Sequence, residues 1–265
     1  MKRHAGRIRR PDAEIYYEVV GDGPPLVFAH GLGGNHLSWW QQVAHFAPRH
    51  TCVVFSHRGF PPSSRVAGAR APDGYAGDIA ALIDELQLRD VTLIGQSMGG
   101  WTCLEYALRA PQNVHALVMA STSGMLDFKQ LGDAAVDEWL RAAPPALDEM
   151  QAKGIHPAIG ERMAREQPAL AQRYWQILVL ADGTFREEVR RRLGELRVKP
   201  PALLRELRMP VLFITGKEDW VFPSAAGPAF AALALDGRAV QVPQAGHSVY
   251  FERAAEFNEI LGRFI

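Results

Sequence analysis

Residues 91–100, VTLIGQSMGG, constrain the fold of this chain more than any other stretch. Four residues of apolar or β-branched character run directly into the turn at 95–99, and the turn runs directly into a helical pattern at 101–108. A serine at the apex of so tight a turn needs small neighbours on both sides, because the strand and helix backbones pass close to each other there. Gly95 and Gly99 supply that room. The stretch therefore predicts a strand, a sharp turn and a helix, with Ser97 at the apex and the helix amino terminus directed at whatever bonds to it.

The rest of the chain alternates short apolar runs with helical periodicity. Continuous apolar runs bounded by turn residues predict strands that are buried on both faces of a parallel sheet. These runs lie at 26–29, 53–55, 91–94, 115–120, 211–215 and 239–242, and a hairpin is predicted from 8–10 and 15–20. Helices are predicted at 35–46, 78–88 and 250–265 among others, and the buried face of the first is predicted to consist of Trp39, Trp40, Val43 and Phe46. The alternation predicts an α/β fold with an eight-stranded, mostly parallel sheet that carries helices on both faces.

Residues 125–205 interrupt this alternation. They consist of charged and alanine-rich helical stretches separated by prolines, and the apolar run at 177–180 lies within a helical pattern. We therefore predict a core domain formed by 1–124 and 206–265 and a helical insertion at 125–205. The aromatic and methionine residues of the insertion, Trp139 and Trp175 among them, either line an apolar site or pack the helices against each other.

Two polar residues that follow predicted strands have the chemistry that a nucleophilic serine requires. A serine hydroxyl attacks at neutral pH only beside a general base, and that base needs a third group that fixes its tautomer. Asp219 follows the strand at 211–215, and His247 follows the strand at 239–242. The carboxyl ends of parallel strands meet at one edge of a sheet, so we expect both side chains near Ser97. The chain order of serine, aspartate and histidine is the one found in α/β serine hydrolases.

A glycine-rich loop, HGLGG at 30–34, follows the strand at 26–29. Such a loop can direct backbone N–H groups into the crevice where open α/β sheets bind ligands, and developing oxyanion charge needs donors of this kind. The loop lacks the lysine of a phosphate-binding loop, and the nine histidines show no spacing typical of metal ligands. We therefore predict no metal and no other cofactor.

Together these pieces resemble the α/β-hydrolase superfamily over essentially the whole chain. The resemblance is carried by HGLGG at 30–34, GQSMGG at 95–100, GKED at 216–219 with Pro223, and AGH at 245–247 with Glu252. It implies an α/β-hydrolase fold in which 125–205 form a helical cap. It also implies that Ser97 is the nucleophile, His247 the base and Asp219 the acid, and that the N–H groups of Leu32 and Met98 bind the oxyanion.

Two features depart from this pattern or leave an alternative open. Glu218 is a second candidate for the acid, although the family spacing favours Asp219. Many relatives carry Asp-x-Arg-Gly-x-Gly-x-Ser after the fourth strand, where this chain has SHRGFPPS at 56–63. Serine and proline thus replace an aspartate and a glycine, which puts the usual loop conformation in doubt. We predict that His57 in this loop is structural.

Charge and composition limit the classes of binding partner that we expect for this chain. The 29 basic residues balance the 29 acidic ones, so no net charge draws the chain to nucleic acid or to a membrane surface. No stretch has the length and apolarity of a membrane span, and no apolar segment follows the basic amino terminus. Cys52 and Cys103 lie in apolar runs and are predicted to be buried thiols. We expect a cytoplasmic protein without a nucleic-acid or membrane partner and leave the oligomeric state open.

The resemblance is strongest to enol-lactonases and small esterases, and it implies a serine hydrolase that cleaves a small apolar ester or lactone through an acyl-enzyme. The side chains predicted to line the pocket are Trp139, Trp175, Trp220 and Val221. Carbon–carbon bond hydrolases and cofactor-free perhydrolases or haloperoxidases use the same residues, although the former often have Asn in place of Gln96. A small-molecule receptor of this fold is the alternative that is not an enzyme. Ser97 argues against dehalogenases and epoxide hydrolases, whose nucleophile is an aspartate.

Overall fold

The computed structural model describes residues 1–265, the side chain of Ala69 excepted. The strands are β1 (Arg3–Arg9), β2 (Glu14–Val20), β3 (Pro25–Ala29), β4 (Thr51–Phe55), β5 (Val91–Gln96), β6 (Val114–Ala120), β7 (Val211–Gly216) and β8 (Gly237–Val242). The α-helices are α1 (Trp40–Phe46), α2 (Tyr75–Glu85), α3 (Gly99–Arg109), α4 (Ala134–Ala152), α5 (Glu161–Glu166), α6 (Pro168–Leu178), α7 (Gly183–Leu196), α8 (Ala226–Ala231), α9 (Val249–Glu252) and α10 (Ala254–Phe264). Short 3₁₀ helices lie at His36–Trp39, Gly68–Gly74, Pro111–Asn113, Phe128–Leu131 and Pro201–Glu206.

The eight strands form one sheet in the order β1-β2-β4-β3-β5-β6-β7-β8. β2 runs antiparallel to both of its neighbours, β1 and β4, whereas the remaining pairs are parallel. The predicted eight-stranded, mostly parallel sheet is therefore confirmed. Because β3, β5, β6, β7 and β8 are parallel neighbours, the loops that follow them emerge at the same edge of the sheet.

Each face of the sheet has its own apolar core. In β3, Val27 and Ala29 pack into one core, whereas Leu26 and Phe28 pack into the other, as expected for side chains that alternate along a strand. Helices α2, α3 and α8 contribute to the first core, and α1 and α10 contribute to the second. Because both faces are covered, the central strands are apolar throughout, which explains the continuous runs in the sequence.

The chain between β6 and β7 folds into helices α4 to α7, with an isolated bridge between Leu126 and Lys199 that ties the two ends of the insertion together. The apolar run at 177–180 overlaps the end of α6, as its helical surroundings predict. On α7, Arg192 pairs with Asp73 at 2.8 Å, so this helix lies against the 3₁₀ helix that precedes α2.

Two predicted helices are divided in the structure. Residues 35–46 form a 3₁₀ helix followed by α1, and Trp40 is 45% exposed, so its predicted place on the buried face is wrong. The cause is the tighter 3₁₀ turn, which changes the register at Trp39, a fully buried residue. The helix predicted at 250–265 is divided into α9 and α10 at Arg253, where φ is −127° and ψ is 52°.

The loop after β4 shows how this chain accommodates its departure from the family pattern. Ser56 accepts the backbone N–H of His36 at 3.2 Å and donates to the carbonyl of Pro61 at 3.1 Å. Arg58 holds Asp78 through two hydrogen bonds of 2.7 Å, so a buried ion pair fixes the loop to α2. His57 is fully buried beside them, which fits the structural role predicted for it.

Among the described residues, no helix combines the length and apolarity needed to cross a lipid bilayer. Over the same residues, no group of three or more His, Cys, Asp or Glu side chains is placed to hold a metal ion. Cys52 and Cys103 are free and buried, as predicted. Burial raises the pKa of Cys52 to about 12 and also raises the pKa of Cys103, so both thiols stay protonated and neither is a nucleophile.

Candidate active site

The turn after β5 has the conformation that its sequence predicts. Ser97 has a φ of +49°, a left-handed value that is uncommon outside glycine. Its N–H donates to the carbonyl of Ala120 at 3.0 Å, and its own carbonyl accepts the N–H of Gly100 at 2.9 Å. A Cβ atom on Gly95 would lie 2.6 Å from the carbonyl oxygen of Gly99, so a larger residue would force the strand away from the helix. The turn thus holds a strained serine between β5 and α3.

The loop after β6 supports this turn from the side. The Thr122 hydroxyl donates to the carbonyl of Ser97 at 2.8 Å and accepts the N–H of Gly124 at 2.9 Å. A Cβ atom on Gly100 would lie 2.5 Å from Thr122 Oγ1, so α3 begins in close contact with this loop. Sequence reasoning missed Thr122, for which the available signal was only its place just after a predicted strand.

Asp219 and His247 are hydrogen-bonded to each other and buried. Asp219 Oδ2 lies 2.9 Å from His247 Nδ1, and Oδ1 accepts the backbone N–H groups of Val221 and Phe222 at 2.7 and 2.9 Å. Because the carboxylate can only accept, the proton of a neutral His247 is on Nδ1 and its Nε2 is left as an acceptor. This is the orientation that a general base requires.

Gln96 brings the His247 loop to the serine turn. Its Nε2 donates to the carbonyl of His247 at 3.3 Å, while its Oε1 lies against Gly31 so closely that a Cβ there would not fit. The buried side chain of the residue before Ser97 thus links the glycine loop to the loop that carries His247. Glu218, the other candidate acid, instead accepts from Arg162 at 2.9 Å, so the structure places Asp219 and not Glu218 beside the histidine.

Glu252 fixes the backbone on both sides of the histidine. Its Oε2 accepts the N–H of Gly246 at 2.9 Å, and its Oε1 accepts the N–H of Ser248 at 3.1 Å. Gly160 of the helical insertion packs against the same carboxylate, where a Cβ would lie 2.7 Å from Oε2. Burial raises the pKa of Glu252 to about 7, although backbone donors oppose that shift.

This raised pKa predicts a pH-dependent contribution to stability. Between the ordinary value of 4.5 and about 7 the folded chain keeps the Glu252 proton whereas the unfolded chain loses it, so its contribution is present below 4.5 and is lost as the pH rises. We expect the unfolding free energy of the wild type, relative to Glu252→Gln, to fall by up to about 3 kcal/mol across this window. Urea unfolding of both proteins at each pH measures the difference. Two parallel pH profiles would contradict the prediction.

His30 fixes the start of the glycine loop. Its Nε2 accepts the backbone N–H of His57 at 2.9 Å, so its proton is on Nδ1, which donates to the carbonyl of Gly31 at 2.8 Å. Burial lowers the pKa of His30 to about 3, which keeps this neutral tautomer at neutral pH. The His57 imidazole in turn contacts Thr102 Oγ1 on α3 at 2.8 Å. A chain of buried polar contacts therefore links the glycine loop to the helix after Ser97.

The two amides predicted to bind an oxyanion lie at turns. Gly33, with a φ of +85°, follows Leu32, and the N–H of Gly34 donates to the carbonyl of Gly31 at 3.0 Å. Met98 caps the amino terminus of α3, where backbone N–H groups lack intrahelical acceptors. Within the described part of the chain, neither the Leu32 nor the Met98 N–H takes part in a backbone hydrogen bond of the loops and turns. Both amides are thus left for another acceptor.

The four side chains predicted to line the pocket have different surroundings in the structure. Trp139 donates its indole N–H to the carbonyl of Asp219 at 2.8 Å. Trp175 packs edge-to-face against His156, which lies between α4 and α5. Trp220 lines a cleft of about 310 Å³ with charged residues of α5. Val221 is 40% exposed. Their role in a pocket therefore stays a prediction, with Trp139 and Val221 in contact with the candidate acid.

Helix α6 instead closes over the glycine loop. Tyr174, Ile177 and Leu178 line a cavity beside Gln96 that measures only about 10 Å³, roughly the space that one water needs. Leu178 packs directly on Gly33, in the place that a Cβ would occupy. Tyr174 is one of the aromatic residues of the insertion for which lining an apolar site was one of two predicted roles. Ile177 and Leu178 were not predicted, because helical periodicity predicts a buried face on α6 but does not identify what covers it.

Comparison with known proteins identifies the family. A family model described as the alpha/beta hydrolase fold matches residues 24–254. The chain belongs to the α/β-hydrolase fold family. The matched region runs from β3 past β8 and contains the serine turn, Asp219 and His247. The predicted family and fold are therefore confirmed, and the chain is a member of a family of hydrolases.

Relatives of this α/β hydrolase extend over nearly its full length. A protein of Azorhizobium caulinodans that carries the name carbamate hydrolase RutD is 27% identical over 94% of this chain and 94% of its own. The 3-oxoadipate enol-lactonase 2 of Acinetobacter baylyi is 27% identical over 93% of this chain and 91% of its own. Among solved structures, the esterase RhEst1 of Rhodococcus superposes with a TM-score of 0.80 at 23% identity, covering 100% of this hydrolase and 98% of the esterase. The last comparison supports the fold alone.

Proposed function

We propose that this protein is a serine hydrolase that cleaves a small carboxylic ester or lactone through an acyl-enzyme intermediate. One observation carries the proposal: the buried Asp219–His247 hydrogen bond, at 2.9 Å, is tied through Gln96 to the turn that presents Ser97. A nucleophile, a base and an orienting acid in this arrangement form the set of groups that acyl transfer requires.

In the proposed acylation step, Ser97 Oγ attacks the carbonyl carbon of the substrate and its proton passes to His247 Nε2. Asp219 holds the imidazole in place and stabilises the imidazolium that forms. The carbonyl oxygen becomes an oxyanion, which the Leu32 and Met98 N–H groups stabilise. Collapse of the tetrahedral intermediate breaks the bond to the leaving oxygen, which takes the proton from His247.

Deacylation repeats these steps with water as the nucleophile. His247 takes a proton from the water, hydroxide adds to the acyl carbon, and Ser97 Oγ leaves with the proton that His247 returns. An ester thus yields an acid and an alcohol, whereas a lactone yields one hydroxy acid. The reaction is balanced without an external oxidant, reductant or cofactor.

We infer that residues 125–205 act as a cap over this site. Leu178 and Ile177 of α6 lie against the glycine loop, and the cavity of about 10 Å³ beside Gln96 is too small for an ester. Substrate entry would therefore need α6 to move away from Gly33. Loops and lids of this kind open on a microsecond to millisecond timescale.

Burst kinetics on a panel of 4-nitrophenyl esters and simple lactones test the proposal. We expect a burst of about one 4-nitrophenolate per active site, followed by slower turnover, because acylation releases the phenol before water cleaves the acyl-enzyme. Intact mass spectrometry of the quenched reaction should show one acyl adduct, located on Ser97. Tight binding of an ester with no turnover would favour the receptor alternative and would contradict the proposal.

A further inference from the structure

Arg186 of α7 lies over the glycine loop. A Cβ atom built on Gly33 would be 3.3 Å from Arg186 Cδ and 3.6 Å from its Nη1. Gly33 directly follows Leu32, whose N–H is one of the two proposed oxyanion donors. Arg186 is half-buried as a residue, so it lies within the helical insertion and is partly open to solvent. Its position places a positive charge beside the site.

This charge has no carboxylate partner among the residues that the structure describes. No Asp or Glu oxygen lies within 4.0 Å of the Arg186 nitrogens in that set, and its Nε is buried without a hydrogen-bond acceptor. Of the three other arginines of α7, two are paired: Arg190 lies 2.9 Å from Glu187, and Arg192 lies 2.8 Å from Asp73. The third, Arg191, is exposed to solvent. Arg197, just after this helix, packs between two aromatic rings. Arg186 therefore has one buried N–H without an acceptor, which is costly, and its remaining donors are used by no described residue.

His156, which precedes α5, packs against Tyr174 and Trp175 of α6, the helix that covers the glycine loop. Its Nδ1 accepts the N–H of Ala158 at 3.1 Å, so a neutral ring carries its proton on Nε2 and donates from there. Burial, helped by the charges of Arg186, Arg190 and His247, lowers the pKa of His156 to about 4. The ring is therefore neutral at neutral pH, and its Nε2–H is its only side-chain donor.

We propose that the substrate carries a carboxylate, separate from the bond that is cleaved, and that Arg186 binds it. The inference rests on the proposed function and adds the substrate class: a hemiester or a carboxylated lactone with an otherwise apolar chain. A guanidinium group can donate two parallel hydrogen bonds to one carboxylate. In this proposal the substrate's carboxylate lies above the glycine loop while its scissile carbonyl lies at Ser97. Arg186 thus determines specificity and is not required for the chemical step.

Paired substrates of equal chain length test this assignment. The acidic set consists of mono-4-nitrophenyl esters of butanedioic, pentanedioic and hexanedioic acids, and the neutral set consists of their methyl-capped diesters. We expect Arg186→Gln to lower kcat/KM for the preferred hemiester by about 10- to 100-fold, the usual loss for a charge-assisted hydrogen bond, and to leave the matched diester within about threefold. Arg186→Lys, which keeps the charge, should recover part of the loss.

Arg190→Gln is the matched control, because it removes one arginine from the same helix where the side chain is exposed and paired with Glu187. It should change neither substrate set. Equal losses on both sets in Arg186→Gln would overturn the inference and assign Arg186 to packing or to the oxyanion. Turnover of diesters without turnover of any hemiester by the wild type would overturn it as well. Hydrolysis of neither set, or hydrolysis that survives Ser97→Ala, would instead overturn the proposed function.

Discussion

Replacement of Ser97 by alanine is expected to lower kcat for a 4-nitrophenyl ester by about 10⁵-fold or more, because loss of one member of a catalytic triad removes nearly all of its contribution. The alanine leaves the base and the oxyanion amides in place but removes the atom that forms the acyl bond. Labelling by a fluorophosphonate, followed by intact mass, should fall from one adduct per chain to none. Turnover at the wild-type rate with unaltered labelling would show that another residue is the nucleophile.

Ser121 supplies a matched control for this experiment. It lies just after β6, its hydroxyl is buried without a hydrogen-bond partner among the described residues, and its φ of +48° resembles that of Ser97. Ser121→Ala therefore removes a hydroxyl from a similar backbone conformation without breaking a hydrogen bond. We expect this variant to retain labelling and turnover within about threefold, since surface and buried changes that break no contact have small effects.

Replacement of Asp219 by asparagine is expected to lower kcat by about 10⁴-fold. Oδ1 accepts two backbone N–H groups, from Val221 and Phe222, so the amide oxygen of asparagine would take that position. Its NH₂ group would then face His247 Nδ1 and favour the tautomer with the proton on Nε2. In that tautomer the imidazole cannot accept the proton of Ser97. The measurement is kcat at saturating ester between pH 6 and 9.

Glu218→Gln separates the two candidate acids. Glu218 pairs with Arg162 on α5, and this side chain lies apart from the Asp219–His247 hydrogen bond. We expect its replacement to leave kcat within about threefold, because exposed ion pairs contribute little. A large loss in Glu218→Gln together with a small loss in Asp219→Asn would reverse the assignment of the acid.

The sequence predicts the core of this fold well because both faces of the sheet are covered. Strands such as β3 and β6 are then apolar at nearly every position and stand out from the helices around them. The turn residues located the ends of these strands. Those ends were enough to predict that Ser97, Asp219 and His247 lie at one edge of the sheet. Trp40 was placed wrongly because a single 3₁₀ turn changes which side of a helix is buried, and periodicity alone does not show such a turn.

The surroundings of the site were less predictable. Gln96 and Glu252 act through hydrogen bonds to backbone groups of His247 and its neighbours, and such contacts depend on how loops meet in space. The packing of Leu178 on Gly33 and the position of Arg186 depend on how α6 and α7 lie against the sheet. Amphipathic helices specify that a face is buried, but many partners would satisfy that face equally well. For the same reason, the aromatic content of the insertion did not identify Ile177 and Leu178 of α6, which line the cavity beside Gln96.

The left-handed backbone at Ser97 has a consequence for the evolution of this chain. A non-glycine residue in that conformation costs on the order of 1–3 kcal/mol, which is a noticeable part of the roughly 5–15 kcal/mol that keeps a domain folded. Glycine would adopt the same turn without that cost, so selection for robustness alone would replace the serine. At this one position fold stability favours glycine, whereas the proposed catalysis requires the serine that the chain has.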